Sequence, residues 1–281
     1  MGESLAATAS RVDRWLLLEY RGLWGPEALA ASGLSDQVKR YLREQLRARR
    51  FTRLLFIRRP DRRGRSGLAF FVADSREGSE RLSHVELEAY EDVRHIELDE
   101  LGEAAGQPLF LVCTHGKHDP CCARYGRPLF EGLAEQVGER WVWQTTHVGG
   151  DRFAGNLVCL PHGLYYGRVG RAEATTLLDE HLEGRIQLER YRGRSAYSFP
   201  VQAAERSVRE DEGLAGIAEL RLRQARRGDD RLRVEFAGTD GRRHVRDVFA
   251  EDGDPAFLTC GAAEARRPRR FIARRSEERR F

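Results

Sequence analysis

The sequence predicts an α/β protein followed by a small antiparallel β region. Short apolar runs of strand length alternate with segments whose apolar residues recur at helical spacing, and this alternation continues to about residue 184. Beyond that point, apolar residues alternate with arginine or acidic ones, which is typical of strands with one wet face. The 281 residues, of which 41% are hydrophobic, are enough to enclose a substantial core without disulfides or metal.

The first segment, residues 1–105, is predicted to begin with a buried strand and a turn. A helix follows, because Pro26 suits the first turn of a helix and the apolar residues from Leu29 to Leu46 lie close to helical spacing. Two strands joined by a polar hairpin and a final weak strand complete the segment. The predicted ranges, in chain order, are 15–20, 21–26, 26–49, 54–57, 60–67, 68–72 and 93–98.

The second segment, residues 106–184, repeats this order. A strand that runs into Cys113 is followed by a loop, a helix, a strand, a hairpin of two strands and a terminal helix. The predicted ranges are 109–112, 122–137, 141–143, 157–160, 164–169 and 171–182. This is the element order of a thioredoxin-like domain. The first segment is therefore either a degenerate thioredoxin-like copy without the cysteines or a chance recurrence of β-α-β-β order.

The third segment, residues 185–281, is predicted to be a β-rich region of structural role with an Arg-rich tail. Its alternating strands are 218–223, 231–236 and 244–249. The tail from Glu264 to Phe281 holds eight Arg and three Glu, so it carries +5 while the whole chain carries +4. Because the basicity belongs to a short tail, we do not expect a nucleic-acid-binding protein.

The sequence shows neither a membrane segment nor a secretory signal. The longest apolar run, Leu68 to Ala73, is far shorter than the roughly 20 residues that span a bilayer. The first residues lack a basic region followed by an apolar one. We therefore expect a cytoplasmic protein with no membrane partner, in which the five cysteines serve as metal ligands or redox groups rather than as disulfides.

The main functional signal is a cluster of cysteines and histidines. Four of the five Cys and four of the eight His fall between Cys113 and His162. Cys113 ends a strand, and Cys122 begins a helix, where the helix dipole favours the thiolate form that binds metal. His147 precedes a Gly-Gly pair, which lets the backbone approach a bulky cofactor closely.

Several residues of this region also have a simpler, structural interpretation. Cys159, in an apolar strand, is interpreted as a small hydrophobic residue, and His162 as a surface-turn residue. Asp151 either binds a metal or caps the short helix that follows it. His115 and His118 are either outer hydrogen-bond donors to a site or solvent-facing loop residues.

Two sequence blocks carry a resemblance to a known family. The first, Cys-Thr-His-Gly-x-x-Asp, begins at Cys113 and leads to Cys122, nine residues on. The second, His-Val-Gly-Gly-x-Arg-Phe-Ala-x-Asn, begins at His147. Together with Gly-Leu-Trp-Gly at 22–25 and Thr-Cys-Gly at 259–261, they resemble the sucrase/ferredoxin-like proteins, which are relatives of the thioredoxin-like [2Fe–2S] ferredoxins.

This resemblance implies a thioredoxin-like ferredoxin domain that binds one [2Fe–2S] cluster. In the best-understood branch, two cysteines with this spacing hold one iron and two histidines four residues apart hold the other. The resemblance therefore implies Cys113, Cys122 and His147 as ligands, with Asp151 at the position of the second histidine. A carboxylate in place of an imidazole is expected to lower the reduction potential and to weaken proton coupling.

Other fourth ligands stay open at this point, namely Cys121, His115 and His118. Cys121 ranks behind Asp151, because neighbouring side chains at a helix start point in different directions. Loss of the cluster in this branch is a further alternative.

The expected function is that of an electron carrier rather than an enzyme with its own substrate. Its partner would be a redox protein that docks near the loop between Cys113 and Cys122. Two alternatives stay open. A structural zinc scaffold would use the same ligands. A thiol redox enzyme would use Cys113 or Cys122 as nucleophile, although the usual C-x-x-C spacing is missing.

Overall fold

The computed structural model of the chain describes residues 3–59, 66–101, 104–137, 141–259 and 261–276. The strands are β1 Arg14–Glu19, β2 Thr52–Arg58, β3 Leu68–Asp74, β4 Arg81–Leu87, β5 Leu109–Cys113, β6 Val142–Thr145, β7 Leu157–Leu160, β8 Leu164–Tyr166, β9 Tyr191–Arg194, β10 Leu220–Arg227, β11 Leu232–Gly238, β12 Arg243–Asp252 and β13 Arg269–Arg275. The helices are α1 Asp36–Ala48, α2 Pro120–Val137, α3 Ala174–Leu182 and α4 Phe199–Glu212.

The strands form one large mixed sheet and one small antiparallel sheet. The large sheet has nine strands in the order β4-β3-β1-β2-β6-β5-β7-β8-β9, and the small one has four in the order β10-β11-β12-β13. The predicted α/β class with a small antiparallel region after it is therefore confirmed. The domain boundaries at residues 105 and 184 stay predictions, and the large sheet runs across both.

The first two segments have the same strand order and the same strand directions. In the first, β1 is parallel to β2 and antiparallel to β3, which pairs with β4. In the second, β5 is parallel to β6 and antiparallel to β7, which pairs with β8. Strands β2 and β6 join the two through Ile57 with Thr145 and Arg58 with Gln144. The carboxyl ends of these strands therefore meet at the centre of the sheet, where the cysteine and histidine motifs lie.

Helix α1 begins after a capping serine, and helix α2 begins at a proline. The predicted helix from Pro26 begins only at Asp36, because the side chain of Ser35 accepts a hydrogen bond from the Val38 amide and caps the helix there. Helix α2 begins at Pro120, two residues before its predicted start, since proline fits the first turn of a helix.

The weak strand predicted over 93–98 is wrong. Residues Tyr90–His95 form a 3₁₀ helix with Val93 buried, and strand β4 precedes it. The Asp92 carboxylate accepts hydrogen bonds from the Glu88 and Ala89 amides, at 3.0 and 2.8 Å, and this local pairing turns the chain. Of the hairpin predicted over 60–67, residues 60–65 lie outside the described ranges.

The third segment contains three strands or α-helices that the sequence pattern did not predict, the first of which is β9, the last strand of the large sheet. Helix α4 packs on the small sheet, with Val201, Ala204 and Val208 buried against it. Strand β13 lies within the Arg-rich tail and pairs with β12. In the described part of the chain, no helix is both long and apolar enough to cross a membrane.

Candidate metal centre

The two motif cysteines lie at the junction of β5 and α2. Cys113 is the last residue of β5, Cys122 is in the first turn of α2, and both are 1% exposed. Helix α2 lies against the end of β5 at Gly126, where a Cβ atom would overlap the carbonyl oxygen of Cys113. The lack of a side chain at Gly126 is therefore what lets α2 bring Cys122 next to Cys113.

His147 reaches the cysteines from the loop that follows β6. Its Nδ1 lies 3.6 Å from the Cys122 sulfur, and its Nε2 lies 3.0 Å from an Asp151 carboxylate oxygen. The ligand atoms of Cys113, Cys122 and His147 all lie within 4.8 Å of one another, as do those of His118, His147 and Asp151. His147 therefore links two groups, with the cysteines on its Nδ1 side and Asp151 on its Nε2 side.

Asp151 faces His147 rather than the helix that it begins. The short 3₁₀ helix Asp151–Phe153 has Gly150 as its N-cap and no side-chain cap. The alternative role of Asp151 as a helix cap is therefore not what the structure shows.

The second-rank ligands differ in their availability. Both ring nitrogens of His115 are engaged, because Nε2 donates to Gly25 O at 2.8 Å and Nδ1 accepts from the His147 amide at 3.3 Å. Cys121 is disulfide-bonded, so the expectation that the cysteines do not form disulfides is wrong for this residue. His118 is exposed and its ring stacks on that of His147, with 4.0 Å between centroids. His118 is therefore the second-rank residue best placed to compete with Asp151.

The electrostatics of the cluster place the thiolate at Cys113. The hydrogen bond from the Cys122 thiol, together with His147, lowers the pKa of Cys113 well below its usual value against the effect of burial. Because Cys122 donates that proton, its pKa is raised instead. This reverses the expectation, drawn from the helix dipole, that the thiolate would be at Cys122.

The other two groups form an ion pair. Burial disfavours the His147 imidazolium, but the Asp151 carboxylate and the Cys113 thiolate outweigh burial and raise the pKa of His147 to about 9. Burial would raise the pKa of Asp151, yet His147 holds it below its usual value. A metal that binds these residues must displace the protons of Cys122 and His147, so binding would release protons.

The loop that follows β1 covers the site, and motif reasoning assigned no role to it. The Trp24 indole meets the His115 ring edge-on, with 5.8 Å between centroids. Pro26 O accepts a hydrogen bond from His118 Nδ1 at 3.3 Å. The sequence feature that could have indicated a role for this loop was the Gly-Leu-Trp-Gly motif at 22–25.

Two residues of the motif region lie apart from the site. Cys159 is fully buried in β7, and burial raises the pKa of its thiol, which agrees with its interpretation as a small hydrophobic residue. His162 lies in the turn between β7 and β8 and is one-third exposed. Of the Thr-Cys-Gly motif, Cys260 lies outside the described residues.

The donor set fits an iron–sulfur or zinc centre. Two thiols and an imidazole are ligands that both prefer, and the Asp151 carboxylate lies on the opposite ring nitrogen of the same imidazole. The cysteines belong to the same apolar core cluster as Trp15, Leu111 and Trp143, so the site has a hydrophobic wall that limits access of water.

Comparisons with known proteins agree with these motifs. The family described as sucrase/ferredoxin-like matches residues 5–193. A protein of Debaryomyces hansenii named "Altered inheritance of mitochondria protein 32" is 31% identical over 98 residues, which are 31% of this chain and 36% of that protein. Its namesake in Meyerozyma guilliermondii is 34% identical over 96 residues, 30% of this chain and 34% of that protein. The chain thus spans about a third of these relatives, and no solved structure matches.

Proposed function

This chain belongs to the sucrase/ferredoxin-like family, and from that premise we propose that it is an electron-transfer protein with one [2Fe–2S] cluster. The proposed ligands are Cys113, Cys122, His147 and Asp151. The observation that carries the proposal is the convergence of two buried thiols and an imidazole at the end of β5, with a carboxylate on the other nitrogen of that imidazole. The repeated strand order supports a thioredoxin-like domain and a degenerate copy before it.

The roles of the residues follow from their chemistry. When bound, the cluster would supply one-electron oxidation and reduction. Cys113 and Cys122 would hold it as thiolates, with His147 and Asp151 as the remaining ligands. An imidazole ligand raises the reduction potential relative to thiolate ligands, and the anionic Asp151 would lower it again. His115, with one nitrogen on Gly25 O and the other on the His147 amide, would orient the His147 backbone.

The exposed His118 gives the site a connection to the surface. Its ring stacks on His147, so a side chain in contact with a proposed ligand reaches solvent. A redox partner protein would dock on this loop, between Cys113 and Cys122. The proposed location is the cytoplasm, where the free thiols of Cys113, Cys122 and Cys159 would stay reduced, whereas the disulfide at Cys121 is unusual for that compartment.

A structural zinc site is the second candidate, because one distance favours a single metal ion. The separation of 3.6 Å between the Cys122 sulfur and His147 Nδ1 matches an edge of a zinc tetrahedron, in which Zn–S is about 2.3 Å and Zn–N about 2.0–2.1 Å. A thiol redox enzyme is the third candidate, and the lowered pKa of Cys113 beside Cys122 favours it.

Metal and sulfide analysis of protein purified without oxygen separates the three candidates. The proposal expects about two irons and two acid-labile sulfides per chain, with absorbance between about 400 and 600 nm. Colourless protein with one zinc per chain would establish the scaffold instead. Protein without metal, in which an alkylating reagent modifies Cys113 rapidly near neutral pH, would establish the thiol enzyme.

Replacement of Asp151 by histidine tests the fourth ligand. We expect Asp151→His to keep the cluster spectrum and to raise the reduction potential, because a neutral imidazole replaces an anionic carboxylate. A redox titration followed by visible absorbance measures this. The matched variant His118→Ala should leave the potential and spectrum unchanged. If His118→Ala loses the spectrum while Asp151→His leaves the potential unmoved, His118 is the fourth ligand.

A further inference from the structure

The loop that carries His147 and Asp151 is held by side chains from outside it. The three successive carbonyls of residues 148–150 all accept hydrogen bonds from side chains. The bonds are Ser10 Oγ to Val148 O at 3.3 Å, Arg53 Nη1 to Val148 O at 2.7 Å, Tyr165 Oη to Val148 O at 3.1 Å, Arg192 Nη1 to Gly149 O at 3.0 Å and Asn156 Nδ2 to Gly150 O at 2.8 Å. The positions of both proposed ligands therefore depend on these donors.

Among these donors, Arg192 is the one that is both fully buried and charged. It is 1% exposed, and its guanidinium donates only to neutral acceptors: Gly149 O, Asn156 Oδ1, Thr8 Oγ1 and Thr8 O. In the described part of the chain, no carboxylate pairs with it. A buried cation without a paired anion costs several kcal/mol in general, so its place in the fold needs a reason.

The anionic site next to it supplies that reason. Arg192 contacts Gly149, which lies between His147 and Asp151 in the chain. Burial, with the nearby cations Arg152 and Arg53, lowers the pKa of Arg192 to about 10, while Tyr165 and then Cys113 oppose this, so the side chain stays charged at neutral pH. Two thiolates and a carboxylate around a metal would add further negative charge to the site next to Arg192.

The glycines of the motif are matched to this contact. Gly149 and Gly150 have φ angles of 99° and 82°, in the left-handed region that favours glycine. A Cβ atom on Gly150 would overlap the Arg192 guanidinium. Gly150 thus lets Arg192 approach the loop backbone, whereas a Cβ atom on Gly149 would overlap the Ser10 hydroxyl.

We propose that Arg192 is the positioning residue of the metal centre. Its hydrogen bonds fix the loop that presents His147 and Asp151, and its charge offsets the negative charge of the ligands. The inference rests on the proposed function for its ligand set. Strand β9, at the edge of the large sheet, would therefore contribute to the electrostatics of the site through Arg192.

Cobalt(II) binding to the metal-free full-length chain tests this inference with a probe that does not require a cluster. Cobalt bound by thiolates gives visible ligand-field bands, so a titration yields both an affinity and a signature of the ligands. We expect Arg192→Gln to weaken cobalt binding by about 10–100-fold, the usual effect of losing a group that orients metal ligands. Arg192→Lys keeps the charge and should lose less.

Arg194→Gln is the matched control. Arg194 lies two residues further along β9 and is equally buried, but it donates to Ile217 O and pairs with Glu80, away from the 148–150 loop. We expect this variant to unfold more easily and yet to bind cobalt as the unmodified chain does. An Arg192→Gln protein that binds cobalt normally, or that loses no more affinity than Arg194→Gln, would overturn the inference.

A second variant and a measurement of the reduction potential cover the remaining outcomes. If Arg192→Gln does not fold, Arg192→Lys decides the positioning role, because lysine keeps the charge but not the guanidinium hydrogen bonds to Gly149 O and Asn156 Oδ1. Cobalt affinity and bands identical to those of the unmodified chain would then refute that role. In protein purified with iron, Arg192→Gln should also have a lower reduction potential, since the lost positive charge favours the oxidised cluster. A chain that never carries iron would refute the [2Fe–2S] proposal, while the cobalt comparison would still decide the role of Arg192.

Discussion

Cys113→Ala and Cys122→Ala are each expected to abolish the visible absorbance of the purified protein together with its bound iron. Each change removes one thiolate from a site whose other proposed ligands are an imidazole and a carboxylate. The remaining free thiol in the described residues, Cys159, belongs to a different apolar cluster and cannot replace either one. Visible spectra with iron and sulfide analysis measure the effect.

Cys159→Ala is the control for these two variants. It removes an equally buried sulfur from the same sheet, with a small cost in stability and no effect on colour. Urea unfolding of all three variants separates loss of the cluster from loss of the fold. Retention of the full spectrum by Cys113→Ala or by Cys122→Ala would remove that residue from the ligand set.

Gly126→Ala is expected to damage both the fold and the site. The added methyl group would overlap the backbone carbonyl of Cys113, which cannot rotate away as a flexible side chain can. Helix α2 must then move off the end of β5 and carry Cys122 with it. We expect a loss of about 3 kcal/mol in the free energy of unfolding, the upper part of the usual range for overpacking, and loss of metal binding.

Gly132→Ala, in the same helix, is the comparison. A Cβ there meets chiefly the flexible side chain of Arg171, at 2.9 Å, and alanine is the better helix former by about 1 kcal/mol. We expect its free energy of unfolding and its metal content to change little. Urea unfolding and metal analysis check both variants. If Gly126→Ala is as stable and as metal-loaded as Gly132→Ala, the close contact between α2 and Cys113 does not hold.

The candidate site was largely visible in the sequence because its signals are local. Cys113 and Cys122 are nine residues apart, at a strand end and a helix start. His147 and Asp151 are four residues apart, in the loop after β6. The structure brings all four residues together. It adds what spacing cannot show, namely that both His115 nitrogens are occupied and that His118 stacks on His147.

The residues that sequence reasoning missed all reach the site from a distance along the chain. Trp24 and Gly25 contact His115 across about 90 positions, and Arg192 bonds to Gly149 across 43. In a chain with 48 basic residues, the sequence does not indicate which arginine is buried. Its significance depends on the absence of a paired carboxylate, which only the packed structure can reveal.

The sequence by itself determined the α/β class, the strands other than β4, β9 and β13, and the cysteine and histidine motifs, because periodicity and spacing are properties of neighbouring residues. The tertiary structure decided that β2 joins β6 at their carboxyl ends, and that the loop after β1 therefore covers the motif of the second segment. It also decided which cysteine holds the negative charge. Strand pairing and pKa values depend on groups brought together from distant parts of the chain, and their energies exist only once the chain has packed.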